Sequence, residues 1–141
     1  MDKFVKNFIA MSMVYLFTAS ILGLGMLASP KLMTLKFVHS HLMLLGWVSM
    51  MIYGVGYHIL PRFAGKLIKT PGLCNLQFWL ANIGLLGMLS FYTMMSFGGT
   101  NKLLMTATVG FGVMEAVSIA LFFYVMMNTV FGKEAAPAPS Q

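Results

Sequence analysis

The sequence predicts an all-α integral membrane protein with four transmembrane helices, and two observations lead to that prediction. Of the 141 residues, 59% are hydrophobic and only 9% are charged, whereas a soluble domain has about 25% charged residues. The chain also contains four nearly uncharged runs, each long enough to supply the roughly 20 apolar residues that cross a bilayer. The runs lack the period-two alternation of barrel strands, so we expect helices surrounded by lipid.

The four helices account for almost the whole chain. We expect them at residues 8–28, 37–60, 76–97 and 103–131. Together they form a predicted transmembrane domain at residues 1–132. The remaining residues, 133–141, are rich in Ala and Pro and lack hydrophobic anchors. This composition predicts a disordered tail on the cytoplasmic side.

The positions of the basic residues predict how the helices are oriented. Six of the nine share one side of the membrane: Lys3, Lys6, Arg62, Lys66, Lys69 and Lys133. The three on the other side are Lys31, Lys36 and Lys102. Because cytoplasmic loops are enriched in Lys and Arg, we expect a multi-pass protein of the cell inner (cytoplasmic) membrane with both termini in the cytoplasm. The net charge of +6 then reflects topology and attraction to lipid headgroups, and it does not indicate nucleic-acid binding.

All three histidines lie in one apolar segment, KFVHSHLMLLGWVSMMIYGVGYHILPRF, at residues 36–63. In the predicted orientation His39 and His41 occupy the first turns of helix two, in the outer third of the membrane. His58 occupies its last turn, at the inner edge. Ionisable side chains within a membrane are costly and usually mark function. A histidine at a helix end can also bond water or headgroups, and we favour this interpretation for His58.

Helical geometry limits what these histidines can bind. His39 and His41 point about 200° apart, and the 17 residues from His41 to His58 span about 26 Å. Two of these histidines from one chain therefore cannot hold a single metal ion. A closed zinc site is also disfavoured here because it requires four ligands. A porphyrin suits the segment better because it brings four nitrogens, needs one or two axial ligands and can lie against small residues such as Gly46. Any two-histidine site must combine more than one chain.

The segment HSHLMLLGWVSMMIYGVGYHILP resembles the tenth helix of the catalytic subunit of heme-copper oxidases and nitric oxide reductases. That helix has a His-x-His pair near the outer face, glycines further along, and an aromatic residue or histidine close to a proline at the inner end. The matching residues here are His39, His41, Gly54, Gly56, His58 and Pro61. The match covers about 25 residues, under a fifth of the chain.

The resemblance implies an assembly and a cofactor. The family's catalytic subunit has twelve helices in three arcs of four, and this chain looks like one arc, so a homotrimer is expected to form a twelve-helix ring. In that ring His41 of one protomer and His39 of the next would be the axial ligands of one heme b. The residues expected to line the macrocycle are Met43, Gly46 and Trp47.

Electron transfer or redox sensing is the function expected of such a bis-histidine heme, with an electron donor and an electron acceptor outside the chain. Two alternatives stay open. One is a sensor or transporter of nitric oxide, oxygen or carbon monoxide with an open axial site. The other is an accessory or assembly subunit without a cofactor. The family's copper site needs a histidine with a tyrosine four residues on and a further histidine pair. The chain has neither, so we expect no oxidase activity of its own.

Glu115 is the only acidic residue deep within a predicted span, about midway along helix four. Intramembrane carboxyl groups often serve proton or ion relays, or pair with a polar partner. The sequence thus predicts a proton or polar site at Glu115, and His58 is a second candidate for such a site.

Overall fold

The computed structural model describes residues 1–132, and the predicted tail at residues 133–141 lies outside the described residues. Residues 1–132 form helices and short connections, without a strand. Four helices are long and apolar enough to cross a membrane: α1 Lys3–Ala28, α2 Pro30–Phe63, α3 Pro71–Gly98 and α4 Lys102–Val130. The predicted all-α fold with four membrane-spanning helices is confirmed.

Local sequence signals set the ends of the last two helices. Pro71 occupies the first turn of α3, where a missing N–H costs nothing because that group has no partner within the helix. Gly99 ends α3 with φ of 88°, a left-handed conformation that glycine adopts without strain. Asn101 caps α4, and its side-chain oxygen accepts the Leu104 N–H at 2.8 Å. The short connection between Gly99 and Asn101 turns α4 back against α3.

Helix α2 changes its hydrogen-bonding pattern along its length. Its consecutive parts are a 3-10 segment at Pro30–Leu35, an α segment at Lys36–His41, a π segment at Leu42–Ser49 and an α segment at Met50–Phe63. π segments are rare and occur frequently at functional sites. This one begins directly after His41, so the two outer histidines lie on the last regular turn before the helix widens.

Glycines allow the helices to approach closely. A Cβ on Gly84 of α3 would lie 2.8 Å from the backbone nitrogen of Glu115 on α4. A Cβ on Gly46 of α2 would lie 2.7 Å from Cγ of Tyr15 on α1. Small residues at such crossings increase van der Waals contact, which drives helix association in lipid. The α3–α4 and α1–α2 crossings therefore fix the depth of Glu115 and Tyr15 in the bundle.

The end of the bundle that carries Met1 and Gly132 has an aromatic core. Phe8 of α1 packs edge to face on Tyr53 of α2 at 5.6 Å and on Phe78 of α3 at 5.1 Å. Phe122 of α4 contacts Tyr53 and Tyr57. All four helices thus meet through aromatic rings, and Tyr57 is held inside with only 2% of its surface exposed.

Candidate functional site

His39 is held against helix α1. Its Nδ1 donates a hydrogen bond to the carbonyl oxygen of Ala19 at 3.1 Å. The ring lies over Gly23, where an added Cβ would be 3.0 Å from His39 Cε1. Ala19 and Gly23 are four residues apart and so lie on the same face of α1. These two small residues form the surface on which the half-buried imidazole rests.

His41 is held on the opposite flank of α2, toward helix α3. Its Nδ1 donates to the carbonyl oxygen of Phe37, one turn earlier, at 2.9 Å. Its ring lies 3.9 Å from the Phe37 ring, which in turn stacks on Tyr92 of α3 at 4.2 Å. The stacked rings of Phe37 and Tyr92 therefore fix the orientation of His41.

The two histidines share one hydrogen-bonding arrangement. A carbonyl oxygen can only accept, so Nδ1 must carry the proton in both rings, which leaves the Nε2 lone pair of each neutral imidazole available. Within residues 1–132 neither Nε2 has a hydrogen-bond partner, and both side chains are partly exposed. Histidines that ligate metals are commonly oriented by such a bond from the other ring nitrogen. The Nε2 lone pair of each ring is thus available to bind a metal ion or another group from outside the chain.

The two rings do not converge on a common point. His39 contacts α1 and His41 contacts Phe37 and Tyr92, on different flanks of α2. In the part of the chain that the structure describes, no three His, Cys, Asp or Glu side chains come together to hold a metal ion. One protomer therefore offers two separate single-histidine positions.

The three residues predicted to line a macrocycle have different surroundings. The open side of Gly46 receives the Tyr15 ring of the same chain, so Gly46 supports packing between α1 and α2. Met43 is partly buried against the hydrophobic core. Trp47 lies on the π segment and is partly exposed.

His58 interacts with a basic residue at the end of α2 near Pro61. Arg62 Nη1 donates to His58 Nδ1 and to the His58 carbonyl oxygen. Because Nδ1 accepts this bond, Nε2 is the ring nitrogen that carries the hydrogen in this arrangement. These contacts give His58 a role at the helix end, with Arg62 as its partner.

Several polar side chains are buried between the helices. Within residues 1–132, no hydrogen-bond partner is found for the carboxyl oxygens of Glu115, the side-chain polar atoms of Gln77 or the hydroxyl of Tyr57. Nearby, the Tyr15 hydroxyl donates to Asn82 Oδ1 at 2.7 Å, and Asn82 Nδ2 donates to a carbonyl one turn earlier at 2.7 Å. Gln77 and Asn82 were not singled out in the sequence. Their amide side chains inside an apolar span are the signal that could have found them.

Comparison with known proteins gives a partial similarity. A 47-residue stretch of the chain is 45% identical to part of the Cbb3-type cytochrome c oxidase subunit CcoN1 of Stutzerimonas stutzeri. The stretch covers 33% of this chain and 10% of that subunit, so the match extends over about a tenth of the relative's length. No family model matches the chain, and no solved structure matches it significantly. The similarity supports a distant relationship between part of this membrane protein and an oxidase subunit.

Proposed function

We propose that this chain is a heme b-binding integral membrane protein in which His39 and His41 of neighbouring protomers are the two axial ligands, and that it transfers electrons or senses redox state. The observation that carries the proposal is the shared anchoring of the two imidazoles. Each Nδ1 is fixed by a main-chain carbonyl, and each Nε2 stays available at a partly exposed position. The partial similarity to a cytochrome c oxidase subunit adds independent support.

The side chains present fit an iron porphyrin. Imidazole is a common axial ligand of heme iron, and a porphyrin asks the protein for only one or two such donors. The surroundings of His41 are aromatic, with Phe37 and Tyr92 next to its ring, which suits the apolar body of a macrocycle. When bound, the heme supplies one-electron chemistry. His39 and His41 bind and orient it, and the surrounding apolar side chains limit the access of water.

The positions of the two ligands favour a closed ring of protomers. His39 lies on the α1 flank and His41 on the flank toward α3, so a shared heme joins two different surfaces. Contacts between unlike surfaces repeat from one protomer to the next and close into a ring when the rotation permits. Three protomers of four helices each match the three arcs of the family that the sequence resembles. We therefore propose a homotrimer of twelve helices.

The predicted orientation belongs to the same proposal. With both termini in the cytoplasm, the histidine pair lies in the outer third of the inner membrane, and Lys31 and Lys36 lie at the outer end of α2. Both lysines are exposed and can pair with the propionates of a heme at that depth. Reporter fusions to either terminus test the orientation, and periplasmic activity of such a fusion would contradict it.

An absorption spectrum of the detergent-purified protein tests the heme proposal. We expect sharp bands in the dithionite-reduced protein that carbon monoxide does not change, because both axial positions are taken. His39→Ala and His41→Ala should each remove the low-spin spectrum, since every heme site needs one His39 and one His41. His58→Ala is the matched control, because the ring of His58 interacts with Arg62, and it should leave the spectrum unchanged.

Other outcomes separate the alternatives. A shift of the reduced bands with carbon monoxide, together with sensitivity to only one histidine variant, would favour a gas-binding heme protein with an open axial site. The lack of a Soret band after addition of hemin would contradict both heme proposals. That result would favour an accessory or assembly subunit without a cofactor.

A further inference from the structure

The carboxyl group of Glu115 is buried in the middle of the bundle. Only 2% of the residue is exposed, and neither oxygen has a hydrogen-bond partner. A buried polar group without a partner costs free energy, and surrounding lipid offers no water to offset that cost. A carboxyl group at this position is explained if it binds and releases a proton or a water molecule.

Helix α3 faces Glu115 with Gly84, which lies against the Glu115 backbone. Two residues before Gly84 on the same helix is Asn82, which binds Tyr15 of α1. The Tyr15 hydroxyl already donates to Asn82, so it does not serve as a donor to the carboxyl group. The carboxyl oxygens are therefore left for water or a proton.

A cavity lies at the end of the bundle that carries Met1 and Gly132. It has a volume of about 260 Å³, and its lining includes the charged side chains of Asp2, Arg62 and Lys66 together with Tyr57. Tyr57 is the link to the interior, because its hydroxyl is buried and has no hydrogen-bond partner. Water in the cavity can thus reach the edge of the buried polar region.

Polar groups continue from Tyr57 to Glu115. The Cys74 thiol of α3 lies next to Tyr57, and Gln77 follows Cys74 by about one helical turn. The Gln77 side chain is fully buried, with both polar atoms unpartnered. The Ser118 hydroxyl donates to the main-chain carbonyl oxygen of Gln77 at 3.5 Å. Ser118 follows Glu115 by three residues on α4, and residues three apart are neighbours on a helix face.

We propose that Glu115 is a proton-binding site reached by internal water that enters at this cavity and passes Tyr57 and Gln77. Buried water typically makes two to four hydrogen bonds to polar groups that would otherwise be unsatisfied, and Tyr57, Gln77 and Glu115 supply such groups. A proton passes from bulk water along the hydrogen-bonded waters to a carboxylate oxygen of Glu115 and leaves by the same route. No cofactor takes part, so the proposal does not depend on heme binding.

Infrared spectroscopy of the full chain in detergent tests whether Glu115 exchanges protons. The sequence has three acidic residues, Asp2, Glu115 and Glu134, so a carboxylic C=O band can be assigned by substitution. We expect a band that shifts after transfer to D₂O, is lost in Glu115→Gln, and persists in Asp2→Asn and Glu134→Gln. A Glu115 band that does not shift in D₂O, or the absence of such a band at every pH, would overturn the proposal.

A second variant tests the path while it leaves the carboxyl group in place. Gln77→Leu removes the amide between Tyr57 and Glu115 and should slow deuterium exchange at Glu115 by about tenfold, as expected for the loss of one hydrogen-bonded step. Thr93→Val, in the outer part of the same helix, is the control because the Thr93 hydroxyl bonds only its own helix. Equal exchange rates in the two variants would overturn the path, and this test does not require Glu115→Gln to fold.

The native Cys74 thiol reports on water from within the path. It is the single cysteine of the sequence and is fully buried beside Tyr57. After transfer of the detergent-purified protein to D₂O we expect the S–H stretching band of Cys74 to shift to the S–D position, and Gln77→Leu to leave this shift unchanged. An S–H band of Cys74 that persists in D₂O would contradict entry of water at the cavity.

Discussion

Two parts of the bundle, named here after the predicted orientation, hold polar side chains in opposite ways: an outer part around His39 and His41, and an inner part around Gln77 and Glu115. In the outer part, His39 and His41 each satisfy one ring nitrogen within the chain and leave the other at a partly exposed position. In the inner part, Gln77 and Glu115 are buried, and their side-chain polar atoms have no partner. The first arrangement suits a large ligand held from outside the chain. The second suits a ligand as small as water or a proton.

Helix packing supports the two arrangements differently. At the outer end Gly23 lies under the ring of His39, whereas Gly84 at the centre lies against the backbone of Glu115. A side chain such as His39 can move by a few tenths of an ångström, but a backbone held in a helix cannot. Substitutions at the two glycines should therefore affect different properties of the protein.

Gly84→Val is expected to have the largest effect. Its Cβ would lie 2.8 Å from the backbone nitrogen of Glu115, so α3 and α4 must separate, at a cost of about 3 kcal/mol. Thermal unfolding in detergent measures the change. Gly110→Val on α4 is the control, since a Cβ at Gly110 meets nothing within 4 Å. Equal melting temperatures for the two variants would contradict the close crossing.

Asn82→Leu and Glu115→Leu should change stability in opposite directions. Asn82 accepts a hydrogen bond from the Tyr15 hydroxyl. Asn82→Leu leaves this buried donor unpaired and should lower the free energy of unfolding by about 1–3 kcal/mol. Glu115 has no partner among the side chains of residues 1–132, so an apolar replacement leaves no protein group unpaired and should leave stability equal or higher. Chemical denaturation in detergent compares the two. A large destabilisation by Glu115→Leu would show that the carboxyl group is paired in the folded protein.

Gly23→Val should weaken heme binding at His39 while the fold is retained. The added side chain occupies the place of His39 Cε1, 3.0 Å from the new Cβ, and separates the ring from the Ala19 carbonyl. Loss of an orienting partner typically lowers metal affinity about tenfold or more. A heme titration followed at the Soret band measures this affinity. Wild-type affinity in Gly23→Val would show that the bond from His39 to the Ala19 carbonyl does not orient a heme ligand.

Phe37→Leu should have the smallest effect. It removes the aromatic ring between His41 and Tyr92, and an aromatic pair contributes about 0.5–1.5 kcal/mol beyond its buried area. We expect slightly weaker heme binding and a small change in the spectrum. Phe17→Leu is the control because Phe17 is 69% exposed, away from these rings. Equal behaviour of the two variants would show that the stack does not orient His41.

The sequence predicted the features that depend on length and hydropathy. The four helices follow from apolar runs, because lipid requires that backbone groups bond within the segment. The π segment at Leu42–Ser49 was not predicted, since a change from one hydrogen-bond spacing to another leaves hydropathy unaltered. The contact of the His39 ring with Ala19 and Gly23 was not predicted, because it depends on which faces of α1 and α2 meet.

The candidate sites were predictable to different degrees. His39, His41 and Glu115 stand out because ionisable residues are rare in apolar spans. The route to Glu115 could not be derived from the sequence, because Tyr57, Gln77 and Ser118 come from three helices and are brought together only by their packing. Gln77 also lies near the start of its apolar run, where an amide looks like an interfacial residue until α3 is seen to begin at Pro71.

Complementation between two defective protomers tests the central claim most directly. Differently tagged His39→Ala and His41→Ala chains are co-expressed, purified through both tags, and compared with each variant alone. If each heme is held by His41 of one protomer and His39 of the next, every mixed trimer contains one complete site of three, so the doubly purified sample should hold about a third of the wild-type heme. Heme in the mixed sample but in neither single variant is the predicted result. No heme in the mixed sample, or full heme in either variant alone, would contradict a site shared between protomers.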